Sequence, residues 1–263
     1  MSDRQIAKSY PLASLTDRVV VVFGGNGLIG RAIVDTIVRE GAVAVVASRN
    51  PPKKAARAVG HDRRDSVTID VTRAASVDAA FRAVHRRHGR IDAVINSTLP
   101  VGPGYGRRFE DVRFRDFCGN VDRHLGGAFL ICQAAAKYFR AHVGGSIVNL
   151  GSVYGFMPPR FDIYDGTKMT KEIEYVVSKA GIIQMTAYLA QYLKGTGIRV
   201  NCVSPGGVFD RQDPKFVKRY NKMCAGKGML APEDVAGTVL YLLSDAAKAV
   251  TGQNIVVDDG FSL

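Results

Sequence analysis

Tyr175 and Lys179 stand four positions apart in the run Tyr-Val-Val-Ser-Lys, which reads as the opening of a helix. At that spacing two side chains share one helix face. A phenol unaided releases its proton only near pH ~10, too high for a base at neutral pH. A lysine cation nearby favours the phenolate, so the pair becomes a usable proton donor and acceptor. Ser152, just after the apolar run 146–150 in Asn149-Leu-Gly-Ser152, offers a hydroxyl that can hydrogen-bond a substrate oxygen and steady charge developing on it. The chemistry these residues suit is proton transfer to or from an oxygen.

A second constellation lies near the start. Phe23-Gly24-Gly25-Asn26-Gly27-Leu28-Ile29-Gly30 sits between a β-branched apolar run and a helical pattern. Gly24 permits a tight turn, Gly27 lets backbone approach a pyrophosphate, and Gly30 allows close helix–strand packing. The helix N-terminus would then face phosphates with free N–H groups and a favourable dipole, and Asn26, Leu28 and Ile29 of the turn count with the glycines as cofactor-binding positions. An acidic residue at the end of the second strand would bind the 2′-hydroxyl of NAD. The chain has Ser48-Arg49 there, a small hydroxyl and a guanidinium that suit a 2′-phosphate, so NADP is favoured with NAD as the other possibility. Asp70 and Val71, ending the third strand, are placed to meet the adenine. Asn96, after the fourth, is placed to hold the loop beside the cofactor.

These residues need a scaffold that brings strand ends together. Strands are expected at 18–23, 43–47, 66–69, 91–95, 146–150 and 199–203, with helices at 30–40, 75–88, 117–140 and 175–194. Their alternation implies a parallel sheet covered on both sides, an α/β doubly wound (Rossmann) three-layer αβα fold. No break in composition divides the 263 residues, so 1–263 reads as a single domain with an N-terminal arm at 1–14. Two stretches depart from the rhythm, 100–115 and 158–174. Ligands bind outside the carboxyl ends of strands in such sheets, so these loops should border the substrate.

Composition narrows the classes. No apolar run approaches the roughly 20 residues a membrane span needs, nor does a signal-peptide core open the chain, so a cytoplasmic protein with no membrane partner is expected. Cys118, Cys132, Cys202 and Cys224 are widely spaced, which argues for packing thiols rather than a metal site or disulfides. His85 and His88 lie in an Arg-rich helical run and read as a solvated face, not metal ligands. The net charge of +12 is scattered rather than gathered in one tail. It suits steering of a phosphate-bearing cofactor and a phosphorylated substrate, and no nucleic-acid partner is expected.

Taken together the glycine turn, Asn96, Ser152, Tyr175-xxx-Lys179 with Ala180-Gly181, Ile198-Arg-Val-Asn-Cys-Val-Ser-Pro205-Gly206-Gly-Val208 and the terminal Thr251–Gly260 run resemble the short-chain dehydrogenase/reductase family. The resemblance covers 15–263 and implies an NAD(P)-dependent oxidoreductase acting on an alcohol or ketone. It also implies that Pro205, Gly206 and Val208 lie against the nicotinamide, and that the protein is a homotetramer or dimer. Tyr164 and Lys168 form a competing pair nearer to Ser152, at about the family's usual separation. Asp165 and Gly166 disfavour a helix there, whereas Ile182, Ile183, Leu189 and Leu193 continue one from Tyr175. Tyr175 is therefore expected to be the acid/base, with 156–174 an inserted substrate loop.

Departures from the family pattern are Phe23 in place of Thr, Leu28 in place of Gly (a spacing nearer the epimerase-type branch), and Ser97-Thr98 after Asn96. His124 stands where the family's fourth catalytic residue, an Asn, is expected; it could relay protons, touch substrate or fill space. The insert, with the Gly-Gly-Val-Phe-Asp segment and the Asp-Asp-Gly-Phe-Ser-Leu run, is similar to oxidoreductases of surface-sugar pathways such as flagellin modification and polysaccharide biosynthesis. That implies a small-molecule substrate of the sugar-phosphate or nucleotide-sugar class, for which Arg107, Arg108, Arg123 and Arg160 are candidate partners. Two other readings stay open: a carbonyl reductase on a small apolar ketone, with Phe156, Met157 and Phe161 in the pocket, and a non-catalytic dinucleotide-binding sensor or scaffold.

Overall fold

The valines after Arg18 form strand β1 (Val19–Phe23), every side chain of which is buried, as a central parallel strand requires. The computed structural model describes residues 15–51, 63–142 and 144–263; the expected arm at 1–14 lies outside them. After β1 come α1 (Leu28–Arg39), β2 (Val43–Ser48), β3 (Arg64–Thr68), α2 (Ala74–His88) and β4 (Ala93–Asn96). A long helical stretch follows as α3 (Phe114–Val121), a π turn at Asp122–Gly126, and α4 (Gly127–Arg140). Then come β5 (Gly145–Leu150), α5 (Ile173–Tyr192), β6 (Ile198–Pro205), α6 (Pro214–Asn221), α7 (Pro232–Leu243) and β7 (Asn254–Val257).

All seven strands pair in parallel in the order β3-β2-β1-β4-β5-β6-β7. The chain builds outward from β1 to β3, then returns to the other side of β1 with β4. That reversal opens a crevice at the carboxyl ends of β1 and β4, the place where such sheets bind ligands. One apolar layer packs α1 and α7 on one face of the sheet; a second packs α2, α4 and α5 on the other. A third cluster lies beyond the strand ends, where Tyr154, Ile163, Tyr164, Phe216, Tyr220 and Phe261 meet.

The expected elements are present with small changes at their ends. The helix expected at 117–140 begins three residues earlier and carries the π turn at His124. Elements α6, α7 and β7 were not among the expected ones. Helix α6 has a local start signal, since Asp213 accepts a hydrogen bond from the Lys215 amide (2.8 Å) ahead of Pro214. His85 and His88 are engaged, through Tyr138 (2.8 Å) and Asp65 (2.8 Å) respectively.

Phe139 shows how tightly α4 and β5 are fitted. It is fully buried, and a Cβ on Gly145 would strike its ring, so the first position of β5 must be glycine to admit the helix. Phe139→Ala should destabilise the fold by about 3–5 kcal/mol through the cavity left behind. Urea denaturation should show this as a lowered midpoint with an unchanged slope.

Candidate active site

The glycine turn is built as its residue types require. Gly24 has φ +78°, and a Cβ there would stand 2.6 Å from the Ser97 carbonyl oxygen. A Cβ on Gly30 would collide with the Gly24 carbonyl oxygen, so close helix–turn packing depends on it. Gly27 caps α1 without a side chain and no acid stands in the first turn, which leaves the helix N-terminus open to an anion. Leu28 is exposed, while Ile29 turns toward the catalytic cleft.

Asn26 ties this turn to the end of β2, its amide donating to Ser48 Oγ (2.9 Å) and the Asn50 carbonyl (2.7 Å). Arg49 is exposed on the wall of a groove of about 200 Å³ that Gly24, Ser48, Asp70 and Val71 also line. Asp70 accepts hydrogen bonds from the Thr72 hydroxyl (2.7 Å) and amide (3.0 Å). These bonds first, and the charge of Arg49 after them, hold its carboxyl below the usual range. Asn96 is buried; its oxygen accepts from the Thr98 hydroxyl (2.7 Å) and amide (3.2 Å), which fixes the loop after β4.

This groove continues into a second cleft of about 280 Å³, the two sharing Thr98 and Leu99 on their walls. Ser152, Tyr175, Lys179, Pro205, Gly206 and Val208 all line the second cleft. The residues predicted for a dinucleotide and those predicted for proton transfer thus form one continuous channel across the carboxyl ends of β1, β4, β5 and β6. An open helix N-terminus at one end and a flat Pro-Gly wall at the other fit an extended dinucleotide.

Lys179 is fully buried and donates from Nζ to the Leu150 carbonyl (2.7 Å), at the end of β5. Its ammonium lies 5.5 Å from the centre of the Tyr175 ring. Burial pushes the Lys179 ammonium below the usual lysine range, and the Tyr175 phenol opposes that push. Ser152 is buried, with Oγ accepting from the Tyr154 amide (3.2 Å).

The competing pair is pulled apart. Tyr164 lies in a single helical turn at Phe161–Tyr164, also on the cleft wall, where its hydroxyl donates to the Tyr154 hydroxyl (3.3 Å). Burial pushes its phenol well above the ordinary range. Gly166 at φ +65° turns the chain directly afterwards, and Lys168 is exposed outside the cleft lining. Tyr164 and Lys168 therefore share no helix face.

His124 occupies the π turn, buried, with its ring centre 6.0 Å from that of Tyr175. Its Nε2 is buried without a hydrogen-bond partner among the described residues. Burial, and next the charge of Lys179, lower its pKa to about 2, so the imidazole is neutral. The π turn sets this one side chain against the Tyr175 ring, behind the cleft wall.

The four candidate arginines divide. Arg107 pairs with Asp116 (2.8 Å), and Arg160 donates to the Leu263 carbonyl (3.0 Å) and rests on the Phe261 ring. Both are taken up by the fold. Arg123 lines the dinucleotide groove, its Nε buried and unpartnered among the described residues, and Arg108 lines an outer cavity next to the cleft. Of the apolar-pocket candidates, Phe161 is exposed and lines that outer cavity.

Two functional features had no clear signal in the sequence. Tyr220 accepts a hydrogen bond from the Gly207 amide (2.5 Å) and stacks on Phe261 at 4.1 Å, so α6 floors the cleft and the 258–263 segment backs it. Asn149 donates to the Thr186 hydroxyl (3.0 Å) and faces Asn96, a buried polar bridge between strand and helix.

Comparison with known proteins fits this geometry. A family described as enoyl-(acyl carrier protein) reductase matches residues 26–262. The post-translational flagellin modification protein A of Campylobacter coli is 36% identical over 255 residues, covering 95% of this chain and all of that protein. A D-threitol dehydrogenase of Mycolicibacterium smegmatis is 30% identical over 258 residues, covering 95% of this chain and 94% of that one. Among solved structures, a short-chain dehydrogenase from Leptospira borgpetersenii with bound NAD+ superimposes over the full length of both chains, at a TM-score of 0.87 and 29% identity.

The neutral imidazole makes His124 an acid-sensitive part of the fold. Its pKa falls from an ordinary 6.5 to about 2, so between those values the unfolded chain binds one proton more. Its contribution is complete above pH 6.5 and is lost as pH falls, by up to about 1.4 kcal/mol per pH unit. Unfolding free energies measured at pH 7, 6 and 5 should fall less steeply for His124→Asn than for the native chain.

Proposed function

The chain belongs to the short-chain dehydrogenase/reductase family, and we propose that it interconverts a secondary alcohol and a ketone on a sugar or polyol skeleton, with NADP as its preferred dinucleotide. The observation that carries this reading is the buried Lys179 ammonium, held by the Leu150 carbonyl beneath the Tyr175 ring in the cleft that also holds Ser152. Gly24, Asn26, Gly27, Gly30, Arg49, Asp70, Asn96, Pro205, Gly206 and Val208 would hold the dinucleotide.

When bound, the nicotinamide supplies the two-electron change at the substrate carbon. In the oxidative direction the Tyr175 oxygen takes the hydroxyl proton, and in reduction its phenol returns one to the ketone oxygen. Ser152 donates its hydroxyl proton in a hydrogen bond to the same substrate oxygen, where charge develops. Lys179 sets a positive charge beside the phenol, and its place on α5 fixes the distance between the two groups. His124, neutral and beside the ring, keeps its buried Nε2 without a partner among the described residues, which suits a role in passing a proton to or from the phenol.

The hydroxyl-rich wall of Tyr154, Tyr164 and Tyr220, with Gln212, supports a polyhydroxylated substrate, as does the resemblance to a threitol dehydrogenase and a flagellin modification protein. Met169, Phe216 and Met229 on the same wall favour the second reading, a reductase of small apolar ketones. Arg49, exposed on the groove wall beside Ser48, supports NADP.

Two measurements test the reading. Tyr175→Phe should lower kcat by about 10²–10⁴-fold while dinucleotide titration by nicotinamide fluorescence is unchanged. Tyr164→Phe should remain active; if it is the dead variant instead, the acid/base is misplaced. Arg49→Ala should weaken NADPH at least about tenfold, near 1.4 kcal/mol, and NADH far less. Equal loss for both would remove the NADP assignment.

A further inference from the structure

We propose that Lys171 is a substrate-binding residue whose ammonium receives an anionic group, a carboxylate or a phosphate, carried by the substrate close to its reacting carbon. The inference rests on the sugar or polyol reading above and narrows its substrate class. Lys171, Tyr175 and Lys179 are spaced four residues apart, but the two lysines are differently placed. Lys179 is fully buried behind the phenol and committed to the Leu150 carbonyl. Lys171 precedes α5, comes from the inserted loop, and lines the front of the cleft.

Its Nζ lies 4.1 Å from the centre of the Tyr175 ring and 5.8 Å from that of Tyr154. Only 20% of the side chain is exposed, although lysines ordinarily extend their ammonium into water. Glu172 pairs with it at 3.3 Å and steadies it from one side. An ammonium has three donors, so one carboxylate at that distance leaves donors for a second anion.

The proton chemistry already has its cation in Lys179. A second positive charge at the phenol works against the first: after burial, the charge of Lys171 is among the influences lowering the Lys179 ammonium. A charge that repels the Lys179 ammonium in the free protein, yet is held between two rings in the cleft, becomes favourable once an anion sits on it. The room is there. Lys171, Tyr164 and Met169 also line the outer cavity of about 680 Å³, so the cleft continues past Lys171 into space a small triol would not use. The outer cavity carries Arg108 together with Glu110 and Asp165, whereas on the inner cleft wall the charged side chains are Lys171 and Lys179.

The experiment uses the full chain with saturating NADP and three matched series: neutral polyols (threitol, xylitol), their sugar-acid carboxylates, and sugar phosphates. The native enzyme should favour one charged series over the neutral one by at least about tenfold in kcat/KM, the excess lying in KM, and the favoured series identifies carboxylate or phosphate. Lys171→Met should lower that preference at least about tenfold, Lys171→Arg should keep most of it, and Lys168→Met, outside the cleft, should leave it intact. Calorimetric titration of gluconate and glucose 6-phosphate provides an arm that needs no turnover: binding lost in Lys171→Met and kept in Lys168→Met supports the inference. Neutral polyols turned over best, with Lys171→Met lowering all series equally, would overturn it while leaving the sugar or polyol reading in place. Dinucleotide binding with no turnover of any series would count against that reading, and anion titrations indifferent to Lys171 would overturn the inference separately.

Discussion

A single buried ammonium organises this protein. Lys179 is buried, and an uncompensated charge in such a place would be strongly destabilising. Two partners make it tolerable, the Leu150 carbonyl at the end of β5 and the electron-rich face of Tyr175. The carbonyl is available only because β5 ends there and its chain turns away at Gly151, where a Cβ would meet Ser204 Oγ at 2.5 Å. The requirement to satisfy one charge therefore ties helix to sheet, and Tyr175 comes to line the same cleft as Ser152, just beyond the end of β5. Fold and site are parts of one constraint.

The parallel sheet was legible in the sequence because its strands are buried on both faces and read as continuous β-branched runs, as in Val19–Phe23. Helices α1, α2 and α5 were legible through apolar spacing and, for α2, the glycine that ends it at φ +73°. The dinucleotide end of the site was legible for a related reason. Gly24 and Gly30 answer to backbone collisions that no other residue type relieves, so their chemistry is local and shows in the string of letters. The Tyr–Lys spacing carries its own geometry too, and the structure separates Tyr164 from Lys168 on the local grounds that Asp165 and Gly166 advertise.

What escaped notice depends on contacts between distant segments. The π turn at His124 has no single-residue signature; it lies between α3 and α4, where one buried imidazole meets the Tyr175 ring. The cleft floor needs α6, the Gly206-Gly207 strand end and Phe261 together, and only the folded chain shows that Tyr220 joins them. Surface arginines were equally opaque. Arg107 and Arg160 could be told from Arg108 and Arg123 only by finding Asp116 and the Leu263 carbonyl beside them. Lys171 belongs with these: a lysine before a helix is unremarkable in a sequence, and it acquires meaning from two aromatic rings brought around it by separate parts of the chain.

The stack of Phe261 against Tyr220 has a consequence in time. Strands β1 to β4, with the glycine turn, Asn26, Arg49 and Asn96, make up a contiguous stretch of chain and half of the sheet, which emerges first from a ribosome. The residues of proton transfer follow with β5, α5 and β6, and the floor beneath them waits for residue 261. During synthesis the nucleotide-shaped half of the channel thus precedes the half that reacts. The wall at 205–208 comes late as well, so the channel closes into one piece only when β6 and the 258–263 segment have joined the fold.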